Sequence, residues 1–314
     1  MKTILITGGC GFVAANLVRE LDDGSTRIRI LDNLSMGNAS DVETENVELM
    51  RGDILDQAVV DSGVKGVDAV VHLAAHTRVI ESMKDPDENF QVNVQGTFNL
   101  LQAARAHEVD RFVFASTGGA IIGEVTPPVH EEMLPKPISP YGASKLAGEA
   151  YLSAFAGAYG LNTVALRFSN VYGPFSYHKG SVVAKYFKQI LNGKELTVFG
   201  DGTQTRDFVY VGDIARAISK AIHSDLTGFE VFNLGSGVET SLNELIDRIR
   251  PIVGNAMTKV HYEEARRGEI YRNYTKIDKA QSGLGFSPSI DLPEGLRKTW
   301  EWFQQNRHRL TDEE

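Results

Sequence analysis

Apolar residues occur in short unbroken runs, and the runs alternate with stretches of helical period. "KTILITG" (2–8) leads into "FVAANLVREL" (12–21), "RIRILD" (27–32) follows, and "VDAVVHLAA" (67–75), "FNLLQAARAH" (98–107) and "RFVFAST" (111–117) continue the alternation. Runs apolar on both faces and separated by helices predict a parallel sheet covered on both sides. "AGEAYLSAFAGAYG" (147–160) supplies a further helix and "NTVALRFSNV" (162–171) a further strand. From about Val171 the rhythm changes: Gly-rich turns such as "YGPFSYHKG", "GDGTQT" and "GSGVET" separate the helical pieces "VVAKYFKQIL" and "LNELIDRIRPIV". The expectation is an α/β protein, with a doubly wound sheet over residues 1–170 and a smaller carboxy-terminal lobe over 171–314, some of which can return to the first domain. The closing "TDEE" reads as a frayed tail.

Composition adds limits. At 314 residues, 42% hydrophobic and 23% charged, the chain suits an ordinary globular protein. Its net charge of −9 offers no global basic field for nucleic acid or an anionic membrane, so an anionic ligand must be met locally. The single cysteine, Cys10, precludes an internal disulfide, and no apolar run reaches the ~20 residues of a membrane span. A cytoplasmic location fits. The eight histidines show no metal-ligand spacing, and no metal site is expected.

Candidate chemistry begins at "ITGGCGFVAANL", where Gly8, Gly11 and Ala14 fall at a strand-to-helix turn. That spacing lets backbone approach a pyrophosphate held at a helix N-terminus. Asp32 closes the second strand at about the ~20-residue distance of a ribose-binding acid, and it would repel a 2′-phosphate, favouring NAD over NADP; a turn or cap role is its plainer reading. Asp53 in "RGDILD" could bond an adenine amino group or cap a helix. In "SPYGASKLAGE", Tyr141 and Lys145 lie one helical turn apart, where a cation beside a phenol favours phenolate; a solvated helix start is the bland alternative.

Taken together, "TGGCGFV", "LDNLSMG", "GDILD", "HLAAHTRVIES", "FQVNVQGT", "SPYGASKLAGE", "LRFSNVYGP", "GDGTQTRDFVYVGDIARA", "NLGSG" and "RRGEI" resemble, in order and nearly end to end, the extended short-chain dehydrogenase/reductases of the nucleotide-sugar epimerase/dehydratase branch. The resemblance implies a Rossmann-type sheet with NAD held by Gly8, Gly11, Phe12, Val13, Asp32, Asn33, Ser35, Gly37, Asp53, Ile54, Leu73, Ala74, Ala75, Asn93, Ser116, Tyr141, Lys145 and Val171. Tyr141 becomes the base that removes a sugar hydroxyl proton. A free phenol titrates near pH ~10, so its pKa must fall by about 3, or about 4 kcal/mol of differential stabilisation, from Lys145 and the cationic nicotinamide. Dehydratases of the branch carry an Asp–Glu pair where this chain has Gly119 and Ala120, which leaves 4-epimerisation. Two departures stand out: Gly118 replaces the usual catalytic hydroxyl and Ile122 a tyrosine, with Thr117 the best substitute and Ser116 or water behind it.

For a UDP-sugar substrate the resemblance assigns Asn170, Arg206 and Arg266 to the diphosphate region, with Val183 and Thr197 in the segments cradling the base. Forked arginine donors suit phosphate oxygens; the plainer readings are an Arg206–Asp207 ion pair and a solvated Arg266–Arg267 pair. Asn273 falls where the sugar's C2 substituent is faced. Arg78 could meet a C6 carboxylate or simply pair with Glu81. UDP-glucose/UDP-galactose is the favoured pair, with a UDP-N-acetylhexosamine or UDP-glucuronate 4-epimerase, a dehydratase, and a catalytically silent NAD(H) sensor as rivals. A homodimer is expected by resemblance.

Overall fold

The computed structural model describes residues 1–265 and 270–310. Arg266, its neighbour Arg267 and the closing "TDEE" lie outside the described residues. Seven strands form one parallel sheet: β1 (Lys2–Thr7), β2 (Thr26–Asp32), β3 (Val47–Arg51), β4 (Ala69–His72), β5 (Arg111–Thr117), β6 (Asn162–Phe168) and a last strand, Phe229–Leu234. The last strand lies on one edge beside β6, followed by β5, β4, β1, β2 and β3. Every neighbouring pair is parallel. The apolar runs of the sequence are buried on both faces: Ile4, Leu5, Ile6, Val70 and Val71 are all 0% exposed.

One face is covered by helix α1 (Phe12–Leu21) and the helix Val211–His223, where Ala14, Leu17 and Val18 meet Ile214, Ile218 and Ile222. The other is covered by the helices Gln57–Val64, Gly96–Ala106 and Pro140–Tyr159. Full burial of each Val, Leu or Ile among them contributes about 1.5–3 kcal/mol. Because the chain runs from β1 outward to β3 and then returns to β4 on the other side, a crevice opens at the carboxyl ends of β1 and β4.

A separate apolar cluster marks the lobe, built from the helices Val182–Leu191, Leu242–Val253 and Leu292–Gln305 around Phe187, Leu245, Trp300 and Phe303. Short strands Leu196–Phe199 and Val260–Glu263 pair within it. The chain beyond residue 170 is divided between the two cores, since the helix Val211–His223 and the strand Phe229–Leu234 belong to the large sheet.

Candidate active site

At the crevice the first turn is shaped by contacts with β4's exit. Gly8 has φ +62°, and a Cβ there would stand 2.7 Å from Ala74 Cα. Gly11 caps α1 with no side-chain hydrogen bond and no acid follows in the first turn, so the helix's first amides and dipole face the crevice without a competing carboxylate. Buried Phe12 and half-buried Val13 anchor that turn. Asp32, 8% exposed, accepts from Cys10 N (2.9 Å) and Leu34 N (2.7 Å), so its carboxylate ties the glycine turn to the segment after β2. Gly37 packs so closely that a Cβ would lie 2.1 Å from Cys10 O. Asn33 donates to Asp53 (2.9 Å) and Ser35 N donates to Asn33 (3.0 Å). Asp53 also accepts from Leu55 N; the helix cap is Asp56 instead. Ile54 is buried against Gly96. A cradle closed to a Cβ, first-turn amides and an acid at the end of β2 fit a dinucleotide.

β4 delivers Leu73, Ala74 and Ala75 to the same crevice. Beneath them runs a buried relay that the sequence did not disclose. Thr97 Oγ1 donates to Asn93 O (2.6 Å), so it accepts from His72 Nε2 (2.9 Å); His72 Nδ1 therefore accepts from Thr7 Oγ1 (2.7 Å). Burial, reinforced by Lys145, holds this imidazole well below its usual pKa and hence neutral. Asn93, in the wide helical turn Gln91–Gln95, accepts from His76 N (2.8 Å) and donates to His76 O (2.9 Å) and Ser144 Oγ (3.1 Å). It thereby fixes the loop after β4 against the helix carrying Tyr141.

That helix starts at the Ser139 cap, with Pro140 in its first turn, and Gly148 permits close approach to β5: a Cβ would lie 2.6 Å from the Phe114 ring. Lys145, 3% exposed, donates to Ala115 O (2.8 Å) above the Phe114 ring (4.6 Å). Burial pushes its ammonium down to about 7, Glu149 pulls upward, and Lys179 pushes further down. Burial pushes Tyr141's phenol up to about 12. The expected depression calls on the cationic nicotinamide as well as Lys145; in the protein alone burial sets the direction, and Lys145 gives one of its three N–H donors to Ala115 O. Ser116 turns inward, donating to Glu149 (2.6 Å), whose carboxylate also takes Arg167 at 2.8 and 2.7 Å. Thr117 is half-buried at the cap of the turn Gly118–Ile122 and makes no side-chain cap bond there.

Asn273 reaches this turn from the lobe. A Cβ on Gly119 would lie 2.2 Å from Asn273 Nδ2, so the amide occupies the place where a side chain of the turn would begin. Ile122 is buried in a small cluster with Ile121 and Val129. Asn170 N donates to Asp207 O (2.9 Å) and Val171 packs on the large core. Val183 is 1% exposed within the lobe's core, and Thr197 accepts from Gln189 (3.3 Å). Arg206 donates to Thr205 O (2.8 Å), whereas buried Asp207 accepts from Ser236, Gly237 and Thr275. Arg78 pairs with Glu81 at 2.6 Å, as its plainer reading has it. Lys179, not singled out from sequence, reaches Thr77 Oγ1 (3.5 Å) from the lobe side. Among the described residues there is no group of His, Cys, Asp and Glu suited to a metal ion and no helix long and apolar enough to cross a membrane.

Residues 4–235 match the model of a family described as the NAD dependent epimerase/dehydratase family. The chain belongs to that family. It is an NAD-dependent enzyme of the epimerase kind, with the Rossmann-type sheet of its relatives. A UDP-glucose 4-epimerase of Mycolicibacterium smegmatis is 37% identical, covering 97% of this chain and 99% of its own. The crystal structure of a UDP-glucose 4-epimerase with UDP-glucose from Thermotoga maritima superposes with TM-score 0.92 at 36% identity, over 97% and 99% of the two chains. A UDP-N-acetylglucosamine 4-epimerase of Methanobrevibacter ruminantium, in complex with UDP-N-acetylmuramic acid, gives TM-score 0.91 at 33% identity, over 97% and 99%.

Proposed function

We propose that this epimerase inverts C4 of a UDP-sugar, with UDP-glucose and UDP-galactose as its preferred pair. The turn after β5 carries the reading: Tyr141 and Lys145 stand beside it, while Gly119 offers no acid and Asn273 fills the space an acid would need. Elimination of water requires a proton donor and acceptor there, so an oxidised sugar is left with return of hydride as its exit. Bound NAD supplies the reversible hydride acceptor and a cationic ring. Tyr141 removes and returns the C4 hydroxyl proton, Lys145 holds its helix to β5 and adds positive charge, and Thr117 donates to the reacting oxygen. Asn170, Arg206 and Arg266 are assigned to the diphosphate by the family resemblance, and the two arginines are local cations of the kind an anionic ligand needs in a chain of net charge −9.

Incubation with a panel of UDP-sugars and chromatography of the products tests this reading. A mixture of UDP-glucose and UDP-galactose from either sugar is expected; unchanged sugars throughout, or loss of water, would overturn it. Tyr141→Phe should keep NAD bound yet lower turnover by at least ~100-fold, the scale of a lost general base.

Asn273 favours a second substrate class. An asparagine against a glycine leaves more room than a tyrosine and offers both donor and acceptor, so a 2-acetamido group is admissible. Asn273→Tyr should suppress turnover of the N-acetyl sugars more than of the parent pair, whereas the Glu81 pairing leaves Arg78→Ala little effect. The proposal includes a homodimer, supported by exposed Phe90, Tyr151 and Tyr159 on helices flanking the site and checked by light scattering. It also includes a cytoplasmic setting, in keeping with a lone, buried, unpaired cysteine.

A further inference from the structure

The segment between β2 and β3 carries the residues expected beside the adenosine ribose, and it is gripped from a distant part of the chain. Asp41, 4% exposed, lies in its short helical turn Ala39–Asp41. Its carboxylate pairs with Arg309 and accepts from Tyr177 Oη (3.0 Å); its carbonyl accepts from Arg19 Nη1 of α1 (2.8 Å). Arg309 also donates to Ser40 Oγ (3.1 Å). Tyr177 stacks on Trp302 with ring centres 5.8 Å apart and planes 20° apart, and Arg19 covers Phe175 at 4.1 Å. Arg307 fixes the same terminal turn to the lobe through Leu191 O (2.7 Å). On its other side the segment rests on the glycine turn, through Asn38 N to Cys10 O (3.2 Å) and the close passage of Gly37. A lobe, a terminal turn and α1 therefore converge on one acid whose neighbours at 32–37 shape the cofactor's ribose site.

We propose that the terminal turn Arg307–Arg309 is a strap for cofactor retention, with Arg309 a positioning residue that acts through Asp41 on the segment 33–41 and touches neither cofactor nor substrate. It follows that affinity for NAD depends on the last described turn of the chain, while the chemistry at Tyr141 does not. The inference rests on the ribose being bound at Asp32, so that placement is tested in parallel. NAD binding to nucleotide-stripped full-length protein is measured by calorimetry for wild type, Arg309→Ala, Arg309→Lys, Asp32→Ala and, as a control, Arg297→Ala, which removes an exposed pair on the terminal helix. Arg309→Ala should raise the Kd for NAD about tenfold, with kcat at saturating NAD unchanged, Arg309→Lys recovering part of the affinity and Arg297→Ala matching wild type. Unchanged affinity in Arg309→Ala would overturn the strap, as would an equal loss in Arg297→Ala or a fall in kcat that excess NAD does not restore. If Asp32→Ala leaves NAD binding intact, the ribose placement itself fails; if Asp32→Ala weakens binding and Arg309→Ala does not, only the strap fails.

Discussion

Two glycine-bearing turns stand at the carboxyl edge of the sheet on either side of β4, and they are made in different ways. The turn after β1 is closed by its immediate surroundings, with Gly8 at positive φ against Ala74 and Gly11 opening α1. The turn after β5 is bare at Gly118 and Gly119 and is filled by Asn273, about half the chain away. Backbone alone can meet a phosphate, since amides and a helix dipole are present wherever a helix begins. Recognition of a sugar needs side chains, and the side chain that fills the turn after β5 comes from Asn273 rather than from the turn itself. The first turn thus tolerates little change from within, whereas the second is sensitive to what the lobe brings.

The comparison breaks most sharply at Gly8. Gly8→Val combines a forbidden φ with a backbone clash, a cost of order 1–3 kcal/mol or more, and the purified protein should carry no NAD by absorbance. Gly157→Ala, where a Cβ meets nothing within 4 Å, should instead raise the melting temperature. Gly119→Asp probes the second turn: the new side chain must displace Asn273, so turnover should fall at least ~10-fold with NAD still bound, and Asn273→Gly in the same protein should recover part of it. Full activity in Gly119→Asp alone would show that Asn273 does not define the pocket.

A smaller effect separates the two turns by pH. Lys145, beside the second turn, has its folded pKa lowered to about 7 by burial. The unfolded chain binds that proton up to about pH 10.4, so the burial penalty is complete below the folded pKa and is relieved as pH rises from there towards the unfolded value. Lys145→Met should therefore raise the melting temperature more at pH 6 than at pH 9. Equal gains at both would mean that the ammonium is not desolvated.

Much of the first turn was legible in the sequence, because Gly8, Gly11 and Asp32 are related by spacing within one β–α–β unit. Tyr141 and Lys145 were legible for the same reason, a single helical turn. What the spacing could not convey was the surroundings of the pair: Lys145 donates to Ala115 O in β5, and burial raises the Tyr141 phenol. The His72 relay, the reach of Lys179 towards Thr77 and the grip of Arg309 on Asp41 were equally hidden, since each joins residues that meet only after the sheet and the lobe have formed. Ser116 shows the converse, a hydroxyl in the right strand that a buried Glu149–Arg167 pair has drawn inward.

Retention of hydrogen at C4 tests the central claim most directly. UDP-glucose deuterated at C4 is incubated with the NAD-loaded enzyme, and the products are examined by mass spectrometry and proton NMR. Borrowing and returning the same hydride predicts UDP-galactose with its C4 deuterium intact and no NADH accumulating. Washout of the label into solvent, or its appearance in free cofactor, would contradict epimerisation at this site.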